Sequence, residues 1–317
     1  MKKIVIALIA LLLVGCTTEK EIDNKIEDLS IVVPSGAPSL GFYSEISNDK
    51  FATADAQSIL PELKGENGSD IIVIDTVSGI KALNAGANYK LAANITFGNF
   101  YIGATGNDDN KQMDEGDYIV LFSQGATPDL VFHYIYGDKY DSNIHYVSAV
   151  SDASACLIKG INIADDEMAA DAEAYVDYVM IAEPAITAAM LQNENVYKYA
   201  NIQEEYYKHT DHNLVQASVF VSNKLSNKQI ETYLEKLKND ISSLIDNPDI
   251  FDDATKKLAD EEIKEIFGIP NAKIAKKVLM ENSVGLGYKN AYENKENIDK
   301  YLSIFDMEET NEEIYFK

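Results

Sequence analysis

Tyr118-Ile119-Val120-Leu121-Phe122-Ser123-Gln124-Gly125-Ala126-Thr127-Pro128-Asp129 reads as a strand, a turn and the first turn of a helix. Five apolar residues, β-branched or aromatic at four positions, make a run of strand length without polar alternation, as in strands covered on both faces. Small residues follow, and Pro128 suits a helix start, where no backbone N–H has to be supplied. The same order recurs upstream. Leu29-Ser30-Ile31-Val32-Val33 leads into Pro34-Ser35-Gly36-Ala37-Pro38, and Ile71-Ile72-Val73-Ile74 leads into Asp75-Thr76-Val77-Ser78-Gly79. Ile144 to Val147 and Val176 to Ile181 are further runs of this kind. The alternation predicts an α/β fold made of βαβ units around parallel sheets. Ligands of such sheets bind beyond the C-terminal strand ends, where these three turns lie and where helix N-termini offer N–H groups. Any one of them could equally do no more than cap its helix.

Beyond Val215 to Val221 the pattern turns helical. Ser226 and Gln229 have capping-box spacing, and Ile230, Tyr233, Leu234, Leu237, Ile241, Leu244 and Ile245 recur on one helical face. A second helix should end at Phe267, with Gly268 in the left-handed position after it and Pro270 preventing continuation. Further helices are expected around 271–281 and 297–305.

The chain opens with Lys2 and Lys3, runs apolar from Ile4 to Val14 and reaches Gly15-Cys16. Such a run is too short to span a bilayer and reads as the core of a signal peptide, residues 1–15. Leu13-Val14-Gly15-Cys16 looks like a bacterial lipobox, which predicts a lipid on Cys16, a polar tether over 16–28, and a protein anchored to the cell membrane on its extracytoplasmic face. Cys156, in a small-residue apolar stretch, is expected to be a buried thiol.

Of 317 residues, 52 are Asp or Glu and 27 are basic, giving a net charge of -25, which argues against a nucleic-acid partner. Every basic residue is lysine, so no guanidinium fork exists to clamp an anion. There is neither a Gly-Lys-Ser/Thr phosphate loop nor the spaced glycines of a dinucleotide site, and no cofactor is expected. His209 and His212 stand three apart beside Asp211, which makes zinc conceivable, but the segment lacks His-Glu-x-x-His and reads first as an exposed polar turn near the second crossing. No nucleophile elbow occurs, so no catalytic residue is assigned.

Val33 to Pro38, Tyr89 to Ala93 leading into Phe97-Gly98-Asn99-Phe100-Tyr101-Ile102, Gly125 to Asp129, Ala182-Glu183-Pro184-Ala185-Ile186-Thr187 and Phe267-Gly268-Ile269-Pro270 together resemble the substrate-binding proteins of the nitrate, sulfonate and thiamine-pyrimidine ABC transporter group. The resemblance implies a type II periplasmic-binding-protein fold: two lobes, a ligand cleft and two hinge crossings. Residues 29–111 and 211–317 would form lobe one and 112–210 lobe two. It implies that Ser35, Gly36, Ala37, Asp75, Thr76, Gly98 and Asn99 face the ligand from lobe one, and Gly125, Ala126, Thr127 and Glu183 from lobe two. Glu183 could instead cap the next helix. The implied function is capture of a small organic ligand, sulfonate-like or thiamine-pyrimidine-like, by a monomer that delivers it to an ABC permease and its ATPase. Phe97 stands where the group often has Trp. The cysteine cluster of the pyrimidine-making eukaryotic branch is missing, which argues against that chemistry. Other readings are a ligand-sensing or adhesive lipoprotein on the same fold and a metal-dependent enzyme using His209 and His212.

Overall fold

A computed structural model describes residue 26 and residues 28–106, 112–163 and 175–317. The expected signal peptide, Cys16 and the tether through residue 25 lie outside the described residues. No helix among the described residues is long and apolar enough to cross a membrane.

Two sheets organise the chain. The first has the order β11-β4-β10-β3-β1-β2, formed by β1 (Ile31–Pro34), β2 (Phe51–Ala54), β3 (Ile71–Asp75), β4 (Tyr89–Thr96), β10 (Ala217–Ser222) and β11 (Leu286–Asn290). The second has the order β7-β6-β8-β5-β9, formed by β5 (Phe100–Thr105), β6 (Ile119–Phe122), β7 (Ile144–Val147), β8 (Tyr178–Ala182) and β9 (Val196–Asn201). The apolar runs read from sequence supply the parallel pairs β1 with β3, and β6 with β7 and β8, while β2, which the sequence reading did not pick out, pairs parallel with β1.

Both sheets are mixed rather than parallel. β10 runs antiparallel to β3 and β4, and β5 runs antiparallel to β8 and β9. The reason is connectivity: β5 and β10 are the strands by which the chain enters one sheet from the other, and each arrives in the reverse direction. β5 also corrects the expected division, since residues 100–105, assigned to lobe one, hydrogen-bond within the second sheet. The chain passes between the sheets at 97–99 and returns at 211–216.

Asn99 and Gln216 bind these two crossings together. The Asn99 N–H donates to Gln216 Oε1 at 2.8 Å, and Gln216 Nε2 donates back to Asn99 Oδ1 at 2.9 Å. Gly98 holds φ +121°, and a Cβ on Gly285 would lie 2.2 Å from its carbonyl oxygen, so backbone meets backbone at this crossing.

Side chains along the first sheet alternate between two cores. Val32, Ile72, Ile74 and Phe220 join an inner cluster that continues through Tyr206 and Tyr301 into the second sheet, while Ile31, Ile71, Val73 and Val219 face an outer cluster. The outer core is covered by α8 (Asn227–Asp246), which buries Ile230, Tyr233, Leu234, Leu237, Ile241 and Leu244, the face read from the sequence. Its capping box forms: the Gln229 N–H donates to Ser226 Oγ at 3.2 Å and the Ser226 N–H donates to Gln229 Oε1 at 3.1 Å. α10 (Asp260–Phe267) ends at Gly268 with φ +65°, as expected. α11 (Ala272–Met280) and α12 (Lys295–Leu302) complete the helical tail. Cys156 is fully buried, and burial pushes its thiol pKa up.

Candidate ligand-binding cleft

Two helices that follow strands in different sheets begin opposite each other. α3 (Thr76–Asn84) follows β3, and its N-cap Asp75 accepts the Ser78 N–H on Oδ1 at 2.9 Å. α4 (Thr127–Tyr136) follows β6 through Ser123 to Ala126. The Thr127 hydroxyl donates to Asp75 Oδ2 at 3.4 Å, from one lobe to the other. Beside this contact lies a cavity of about 390 Å³. Its polar lining includes Asp75, Ser78 and Lys81 from one side and Ser123, Gly125 and Thr127 from the other, and Leu60, Val77, Leu130 and Phe305 give it apolar walls. Among the described residues, Asp75 is the only anion and Lys81 the only cation lining it.

Burial pushes the Asp75 carboxyl pKa up, against the pull of the Ser78 N–H, the Ser78 and Thr127 hydroxyls and the Lys81 charge. Tyr301 is fully buried, and its hydroxyl has no hydrogen-bond partner among the described residues. Burial first, then the Asp75 charge, drives its pKa well above the usual phenol range. Tyr206, from α7 (Ile202–Thr210), is also fully buried, with a hydroxyl unpaired among the described residues.

Four of the expected site residues, Asp75, Gly125, Ala126 and Thr127, line this cavity. Two of their loop's amides are already engaged: the Gly125 N–H donates to Asp129 Oδ2 at 2.7 Å and the Ala126 N–H to the Ser123 carbonyl at 2.9 Å. Asp129 is held in turn by the Tyr146 hydroxyl at 3.0 Å.

The other seven are placed elsewhere. The Ser35 N–H donates to Ala54 O and the Gly36 N–H to Phe267 O at 2.8 Å, while Ala37 is buried, so the first turn packs against β2 and the end of α10. Thr76 is fully buried, its N–H on Gln216 O and its hydroxyl 2.6 Å from Ser218 Oγ. Gly98 and Asn99 belong to the crossing, and Asn99 Nδ2 also donates to Glu183 O at 3.1 Å. The Glu183 carboxylate is buried. It meets Lys198 Nζ at 2.6 Å, accepts the Thr187 hydroxyl at 2.8 Å and accepts the Thr187 N–H at 3.3 Å, at the start of α6 (Ala185–Gln192). Lys198 also reaches Glu281, after α11, at 3.4 Å, and stands 4.6 Å above the Tyr101 ring.

Sequence reasoning passed over Lys81, Lys198 and Tyr301. Lys198 stands between Tyr197 and Tyr199 in a weak strand pattern, and Tyr301 sits on a helical face that reads as packing alone. His209 Nδ1 lies 2.8 Å from Glu205 O, and the His212 N–H donates to Thr210 Oγ at 3.1 Å. No group of three or more His, Cys, Asp or Glu among the described residues is placed to hold a metal ion.

No protein-family model matches the chain, and no curated protein matches it. Solved structures do. An ABC transporter from Parabacteroides distasonis is 17% identical over 88% of this chain and 91% of that one, with a TM-score of 0.64. The periplasmic aliphatic sulphonate binding protein SsuA from Escherichia coli is 14% identical over 87% of each chain, with a TM-score of 0.59. The ligand binding component of an ABC-type import system from Staphylococcus aureus, with zinc bound, is 11% identical over 91% of this chain and 96% of that one, with a TM-score of 0.60. At these identities the likeness is one of fold. The chain has the two-lobed α/β architecture of type II periplasmic binding proteins.

Proposed function

We propose that the chain is an extracytoplasmic solute-binding protein, held on the outer face of the cell membrane by a lipid on Cys16, that captures a small organic solute between its lobes. It then delivers that solute, as a monomer, to an ABC permease and its ATPase. The observation that carries this reading is the cavity of about 390 Å³ between the starts of α3 and α4, which the two sheets form jointly. Its size falls in the range of roughly 300–1,000 Å³ usual for small-molecule sites. Two narrow crossings laced by Asn99 and Gln216 give the lobes a hinge about which to open and close. The same fold in an ABC transporter from Parabacteroides distasonis and in the ligand binding component of an ABC-type import system from Staphylococcus aureus supports the same reading. A binding role also accords with a lining that pairs one carboxylate with hydroxyls and apolar walls. Native mass spectrometry of the full chain purified from its host tests the proposal: a small organic molecule should be retained and released on denaturation. Purification without any retained or exchangeable solute would count against it.

A further inference from the structure

We propose that the cleft recognises its ligand through a protonated amine or amidine-type nitrogen placed on the Asp75 carboxylate, and not through a sulfonate or other anionic group. The inference rests on the solute-binding reading and names the ligand class for that site.

A fold that presents strand-to-helix turns to a cleft can hold anions on amide N–H groups at the helix starts. In this chain both starts that line the cavity carry a carboxylate of their own, and so does a third, that of α6, away from it. Asp75 accepts the Ser78 N–H of α3, Asp129 accepts the Gly125 N–H ahead of α4, and Glu183 accepts the Thr187 N–H of α6. Each carboxylate offsets the positive end of its helix and engages an amide an anion would need. The cations do not restore the balance. Lys198 is held by Glu183 at 2.6 Å and Glu281 at 3.4 Å, and Lys81 is a single exposed ammonium in a chain without arginine.

The remaining polar surface suits a donor. Asp75 Oδ2 accepts Thr127 at 3.4 Å, longer than the usual 2.5–3.0 Å or so of O–H···O bonds, so a stronger donor can replace or join it. An N⁺–H on a carboxylate forms a charge-assisted bond roughly twice as strong as a neutral one. The apolar walls would take the carbon body.

The test uses a matched set on one body: benzylammonium, benzamidinium, benzyl alcohol and benzylsulfonate, titrated calorimetrically into the full chain. One or both cations should bind more tightly than the alcohol, and the sulfonate should bind weakest. Asp75→Asn should weaken cation binding by about tenfold or more. Thermal unfolding without ligand controls for folding, and Asp75→Ser, which also caps a helix, is the second variant. Tightest binding by the sulfonate, or cation binding unchanged in both variants, overturns the inference while leaving the solute-binding reading intact. Binding by none of the four also overturns it, and the native mass measurement then decides the broader reading independently.

Discussion

The Thr127 hydroxyl donates to Asp75 Oδ2 across the cleft at 3.4 Å, tying the start of α4 on the second sheet to the start of α3 on the first. A bond of this length is a weak fastening. Removing it with Thr127→Val should lower the unfolding free energy of the ligand-free protein by only about 0.5–1 kcal/mol. The variant should also have a slightly larger radius of gyration in solution, because the lobes lose a direct link. Denaturant titration and small-angle scattering measure the two effects, and a loss above about 2 kcal/mol would mean that the contact belongs to a core and not to a cleft.

Asp75 gives a prediction with a defined sign. Its carboxyl pKa is raised by burial, so the folded state holds the proton more tightly than the unfolded chain does. Its contribution to stability is therefore fully present below the unfolded carboxylate pKa and lost as pH rises through the higher folded value. Asp75→Asn keeps a helix-capping oxygen and removes the charge. At pH 7 the variant should be as stable as the parent or more stable by up to about 1 kcal/mol, and the difference should shrink as pH falls through the carboxylate range. Stability profiles from pH 3 to 8 would reveal it, and a clear loss of stability at pH 7 would show that the charge serves the fold.

Glu183 and Lys198 should behave in the opposite way. The carboxylate is fully buried, while Lys198 retains 22% exposure and a second partner in Glu281. Glu183→Gln should therefore cost roughly 1–3 kcal/mol, below the ~3–5 kcal/mol for breaking a wholly buried pair. The double variant Glu183→Gln with Lys198→Met should cost less than the two single changes added together. A double-mutant cycle reads this directly, and strict additivity would contradict the pairing.

The N-terminal reading is tested by Cys16→Ser, which should leave the chain soluble or as uncleaved precursor while the domain melts at its usual temperature. Membrane fractionation measures this, and a mature, membrane-bound serine variant would contradict lipid anchoring.

β1, β3, β6 and β8 were legible because burial writes itself as unbroken runs such as Ile71 to Ile74, whereas the half-exposed parallel strand β2 was not. β9 was not, since Lys198 interrupts its pattern with a charge that is partnered only after the chain folds back on itself. The same limit governs the site. Asp75 and Thr127 stand at recognisable strand-to-helix turns, but their approach across two sheets depends on the crossings at 97–99 and 211–216. Ser35 and Gly36 look equally open to a ligand in sequence, yet the Gly36 amide meets Phe267 O, a partner more than two hundred residues away. Asp129 reads as an ordinary acid in a first helical turn, and only its bond to the Gly125 N–H shows that the loop's amide is engaged.

The central claim is that solute is held between α3 and α4. Hydrogen-exchange mass spectrometry of the full chain, with and without the solute identified by native mass spectrometry, tests it most directly. Segments 75–81 and 123–130 should gain protection together on binding, because one ligand contacts both lobes. Protection confined to one lobe, or appearing only at the outer surfaces away from these two segments, would contradict the placement of the site.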